Sequence, residues 1–76
     1  MSTQEHKGQK VEIYNEAGTG LVSGGTTNDN GKTVTELTNP VVEGSTYQLK
    51  IGGGQRRGAD CLTYDAATRT ATFTQN

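Results

Sequence analysis

The stretch Thr46–Ile51, TYQLKI, constrains this chain most. Tyr47, Leu49 and Ile51 point one way while Thr46, Gln48 and Lys50 point the other, a period of two that only a half-buried strand reproduces. A second alternation, KVEIY at residues 10–14, sets Val11 and Ile13 on one face and Glu12 on the other, with Tyr14 falling on the outward side. Nowhere do apolar residues recur at three-and-four spacing over two helical turns, so little or no helix is expected.

Between these runs lie turn signals at roughly ten-residue intervals. NEAGTG (residues 15–20) follows the first strand, and LVSGGTT is a short, glycine-interrupted strand. NDNG (residues 28–31) leads into KTVTEL and then NPVVEGS, and CLTYDAATRTATF reads as a hairpin turning at DAAT. GGGQRRG, residues 52–58, reads as a flexible loop carrying the only paired arginines. This pattern predicts an all-β chain, a small antiparallel sandwich or barrel of about six to seven short strands. Residues 1–8 are expected to form a flexible tail and residues 9–76 a single β domain.

Composition bears on whether such a domain holds together. Hydrophobic residues make up 29% of the 76 residues, well below the roughly 45% of ordinary globular chains. A formal net charge of −1 and clustered apolar residues argue against disorder. The expected core is Val11, Ile13, Leu21, Val34, Leu37, Val41, Tyr47, Leu49, Ile51, Leu62, Tyr64 and Phe73. So thin a core leaves folding close to balance. Cys61 is the sole cysteine, so no internal disulfide supplements it. A partner surface, either self-association or docking on another protein, is the remaining supplement.

The residues 10–51 carry a motif as well as a pattern. A strand leads through a turn to T-N-D-N-G-K, then a strand, then G-S-T-Y-Q-L. This resembles the prealbumin-like pattern of transthyretin-like and Cna-B-type β-sandwich modules. ADCLTYDAATRTATFTQN separately resembles one repeat of the OstA-type β-jellyroll. Transthyretin-like hydrolases use several histidines and a carboxyl-terminal Tyr-Arg-Gly-Ser, whereas this chain has His6 alone and ends FTQN. The Lys–Asn isopeptide bond of Cna-B modules would need Lys10, Asn76 and an acid such as Glu36, with Asn76 at the very end.

Residues 26–37, TTNDNGKTVTEL, imitate a calcium loop but do not make one. With Gly31 at the sixth position, Leu37 occupies the place of the bidentate glutamate, and Asp29 falls between ligand positions. The same residues suit a hairpin turn, because Asn and Gly accept positive φ. No metal or cofactor site is expected. Cys61 has no histidine placed to activate it, and GGGQRRG lacks the Gly-Lys-Ser/Thr of a phosphate loop, so no catalytic residues are assigned.

What remains is recognition. Arg56 and Arg57 can make bidentate contacts to carboxylates or phosphates of a partner, and Tyr14 can anchor an interface. The near-zero charge gives no electrostatic case for nucleic acid or an anionic membrane. MSTQEHKGQK is polar throughout and no apolar run approaches membrane length. A reducing interior, cytoplasmic or within a virion, is the expected location. The expected function is a non-catalytic structural or interaction module that oligomerises or docks on a larger assembly, such as a virion decoration or tail component. The rival is a small cytoplasmic inhibitor or ligand-sequestering protein, for example a phage antagonist of host defence, whose glycine–arginine loop takes an anionic small ligand.

Overall fold

The structure, a computed structural model, describes residues 8–27 and 32–75. Residues 1–7 of the expected tail 1–8, with His6, the NDNG turn at 28–31 and Asn76 lie outside the described residues, whereas Gly8 N–H donates to the Thr27 carbonyl at 2.8 Å. Six strands form: β1 (Lys10–Tyr14), β2 (Leu21–Thr27), β3 (Thr33–Thr35), β4 (Thr46–Ile51), β5 (Arg56–Asp65) and β6 (Thr70–Gln75). They close into a barrel in the order β1-β2-β3-β6-β5-β4, with every neighbour antiparallel. Two three-stranded meanders thus meet along the β1–β4 and β3–β6 seams. Of the two architectures the alternation allowed, this is the barrel. Among the described residues no helix is long and apolar enough to cross a membrane.

Alternation fills the lumen. Val11 and Ile13 from β1, Val34 from β3, Tyr47 and Leu49 from β4, and Phe73 from β6 are buried, together with Leu37 and Val41 from the segment after β3. The Tyr47 and Phe73 rings meet edge to face, with centroids 6.4 Å apart, the arrangement favoured by their quadrupoles. Small inward residues, Ala59, Cys61 and Ala71, make room for these rings in a narrow barrel. Ile51 and Tyr64 are partly buried and pack against the core from its margin.

Two expected core residues are outside it: Leu21 is 63% exposed and Leu62 is 56% exposed. Both corrections have one cause. Each strand carries an extra residue, which shifts the phase of inward and outward positions. In β2 the register passes from Ile13↔Ser23 to Tyr14↔Leu21, leaving Val22 unmatched and setting Leu21 opposite an outward tyrosine. In β5 it passes from Cys61↔Phe73 to Thr63↔Thr72, so Leu62 is the unmatched residue.

Ser23 takes an inward place instead, and its hydroxyl is used. Ser23 Oγ donates to the Asn39 carbonyl at 2.8 Å and accepts the Asn39 N–H at 3.0 Å. The Tyr47 hydroxyl likewise accepts the Val42 N–H at 2.8 Å. These bonds hold the crossover between β3 and β4 against the barrel, satisfying polar groups that burial would otherwise penalise.

The glycine–arginine segment also differs from expectation. Gly52 and Gly53 have φ of 60° and 82°, and Gly54 N–H donates to the Ile51 carbonyl at 3.0 Å. Two consecutive positive-φ residues make a tight hairpin turn whose twist matches that of the flanking strands. The turn therefore finishes early, and Arg56, Arg57 and Gly58 belong to β5. The arginines stand on a strand.

Candidate functional site: a basic face over β1, β4 and β5

Cross-strand register assembles the outer face of β1, β4 and β5. Glu12 lies opposite Lys50 and Lys50 opposite Arg56, while Tyr14 lies opposite Gln48 and Gln48 opposite Gly58. Gly58 carries no side chain, which leaves space over β5 for its neighbours to lean across. The Arg56 guanidinium uses that space: its carbon sits 5.3 Å from the centroid of the Tyr14 ring, within the range of a cation–π contact.

Arg56 also reaches the loop between β1 and β2. Its Nη1 donates to the Gly18 carbonyl at 2.6 Å, and Gln48 Nε2 donates to the Glu16 carbonyl at 3.0 Å. Together they strap Asn15–Gly20 over the outer face. The loop braces itself as well, since Asn15 Oδ1 accepts the Thr19 N–H at 2.9 Å and Asn15 N–H donates to the Gly20 carbonyl at 3.0 Å. Gly18 is required twice over. Its φ is 75°, and a Cβ there would stand 2.8 Å from Gln48 Oε1 and 3.0 Å from Arg56 Nη1.

Tyr14 closes a small relay. Its hydroxyl donates to Glu12 Oε1 at 3.0 Å. That bond, with some desolvation and the nearby Glu12 charge, pushes the phenol above its ordinary range, and Arg56 opposes the shift. Glu12 is thereby engaged by Tyr14 while standing opposite Lys50. The Lys50 side chain forms no hydrogen bond or ion pair with any described residue. It separates two open depressions, one of about 430 Å³ shared with Lys10, Glu12 and the Gly52–Gly53 turn, the other of about 320 Å³ shared with Tyr14, Gln55 and Arg56.

The sequence-predicted trio is therefore brought together only in part. Tyr14 and Arg56 touch. Arg57 does not join them, because its strand partner Leu49 faces the core, so adjacent arginines leave β5 on opposite faces. Arg57 is exposed near the strand's end and has no hydrogen-bond or ion-pair partner among the described residues. Sequence reading missed Gln48, Lys50 and Gly18. The outward face of TYQLKI held the signal for Lys50, but placing it beside Arg56 required knowing how tightly the glycines turn.

Chemically, this face offers ammonium and guanidinium donors to anionic oxygens. Cys61 stands apart from it, buried in the core with its thiol donating to the Thr63 carbonyl at 3.3 Å. Burial, reinforced by the Glu43 charge and opposed by the Gly44 N–H, pushes that thiol up. A protonated, enclosed thiol is a weak nucleophile. Compared with known proteins, the chain matches no family model, no curated protein and no solved structure.

Proposed function

We propose that this barrel is a non-catalytic interaction module that docks an acidic protein surface on its basic end, beside the Gly52–Gly53 turn that joins β4 to β5. One observation carries the reading: the side chains of Lys50 and Arg57, at the turn end of the β4–β5 ribbon with Arg56, make no hydrogen bond or ion pair with any described residue, in a chain whose formal net charge is −1. Lys50 and Arg57 are repelled by the Arg56 charge between them and, unlike Arg56, serve no internal contact among the described residues. An exposed pairing within the chain would return only about 0–1 kcal/mol. Carboxylates of a partner, desolvated on contact, form stronger charge-assisted bonds with the same groups.

Lys50→Ala combined with Arg57→Ala tests this directly. Neither side chain makes an internal hydrogen bond or ion pair among the described residues, so the melting temperature should hold. Affinity for a labelled polyglutamate peptide, followed by fluorescence anisotropy, should fall about tenfold for each ~1.4 kcal/mol of lost contact. Unchanged affinity in the double variant would remove the basic end as a docking site.

A further inference from the structure

Resting on that docking reading, we infer that the acidic partner is a second copy of this chain, bound head to tail, with the basic end of one barrel against the opposite end of the next. The β4–β5 ribbon has polarity. Lys50 faces Arg56 at one end of the register, and Thr46 faces Asp60 four residues further along, a separation of roughly 13 Å at about 3.3 Å per residue. Cys61 N–H donating to the Ser45 carbonyl, and Gly44 N–H donating to the Cys61 carbonyl, continue the ribbon beyond that point. They set Gly44 and Ser45 beside Cys61, whose neighbour in the chain is Leu62.

That far end has a distinct character. Val42 is 63% exposed and Leu62 is 56% exposed, and the carboxylates of Glu43, Asp60 and Asp65 lie on the same stretch, with Arg69 the cation at its turn. Asp60 accepts the Thr46 hydroxyl at 2.6 Å and Asp65 accepts the Ala67 N–H at 3.0 Å, whereas Glu43 makes no hydrogen bond or ion pair with a described residue. The near end carries Lys10, Lys50, Arg56 and Arg57 against two carboxylates, Glu12 and Glu36, the latter accepting the Thr26 hydroxyl beside Lys10. A two-fold pairing of either end with itself would set like charges together. Opposite ends complement each other, and the exposed Val42 and Leu62 supply apolar area for the contact. Such a contact is heterologous and does not close on itself, so association continues past the dimer.

Sedimentation velocity tests the contact. At about 10 mM salt, where charges act over ~30 Å, average mass should rise with protein concentration without levelling at a dimer. At about 1 M, where the range is ~3 Å, the protein should sediment as a monomer. Lys50→Glu with Arg57→Glu reverses the basic end, and Glu43→Lys with Leu62→Lys reverses the far end. All four positions are outside the core, and circular dichroism checks that each variant folds. Each variant alone should associate at least tenfold more weakly than the parent, and an equimolar mixture should associate again, because the reversed ends complement one another. A parent that stays monomeric at low salt overturns the head-to-tail contact, as does a mixture that fails to recover. If that monomer still binds polyglutamate through Lys50 and Arg57, docking survives and only its self-directed form is lost.

Discussion

Replacing Gly25 by alanine probes the tightest point of the barrel. Gly25 lies opposite Val11 on the inner face of β2. A Cβ there would stand 2.5 Å from the Thr35 carbonyl oxygen, 2.6 Å from Val34 Cγ1 and 3.3 Å from Leu37 Cδ2. The nearest atom is backbone, so no side-chain rotation relieves the clash and β3 itself must move. β3 is the shortest stave, joined to β2 through Thr26↔Thr35 and Thr27↔Val34 and to β6 through Thr33↔Thr72 and Val34↔Ala71. Forcing an extra methyl into a packed core costs about 1–3 kcal/mol. A less flexible unfolded chain returns about 0.4–1 kcal/mol. A net loss of about 1–2 kcal/mol lowers the melting temperature by roughly 4–16 °C in a domain of this size. Gly20→Ala is the control: its Cβ would rest 3.5 Å from Asn15 Nδ2 with no positive φ, so it should be neutral or slightly stabilising. Paired thermal and urea melts read both. A Gly25→Ala protein as stable as the parent would mean that β2 and β3 do not approach as closely as described.

The remaining expectations concern single groups. Cys61 should react with a disulfide reagent orders of magnitude more slowly in the native protein than in urea, because burial both encloses the thiol and disfavours the thiolate; equal rates would place it at the surface. Tyr14 has a raised pKa in the folded state, so its contribution is complete below the unfolded phenol value near ~10 and is lost as pH rises through the folded value. Tyr14→Phe should therefore flatten the alkaline limb of the stability profile, and an unaltered limb would deny the Glu12 hydrogen bond. Arg69 holds φ at 52° in the β5–β6 turn, so Arg69→Gly should be stabilising or neutral in urea melts, while a clear loss would show that its side chain matters more than its backbone.

How far the sequence spoke depended on whether the pattern ran uninterrupted. KVEIY and TYQLKI alternate cleanly, and both strands sit where the alternation places them, with Val11, Ile13, Tyr47 and Leu49 inside. Leu21 and Leu62 were misplaced because a bulge inverts the phase after one residue, and nothing in LVSGG or CLTY marks which residue is the extra one. Ala59, Cys61 and Ala71 escape a core list read from hydrophobicity, since small residues carry little hydrophobic signal, yet a narrow barrel needs them facing large rings. KTVTEL read as a strand but only Thr33–Thr35 pairs, because Glu36 turns to φ of 59°. On the candidate site, Tyr14 and the arginines stood out by residue type. The contact between Gln48 and Glu16, 32 residues apart, depends on barrel closure and has no local signature.

Adjacency in sequence suggested one role for Arg56 and Arg57, and strand geometry divides it. Because side chains alternate across a strand, a basic dipeptide on β5 delivers one guanidinium to each face. Arg56 falls over Tyr14 and ties down the Gly18 carbonyl, so part of its donor capacity already holds the β1–β2 loop in place. Arg57 lacks any such tie among the described residues. Removing both together would mix a freed loop with a lost contact, and weaker binding would have two explanations. Lys50, opposite Arg56 and without a side-chain hydrogen bond or ion pair among the described residues, is the cleaner companion to Arg57, since neither supports the loop. The basic end therefore combines two kinds of residue: Tyr14, Gln48 and Arg56 fix the outer face, while Lys50 on that face and Arg57 on the other leave their charge available to whatever meets it.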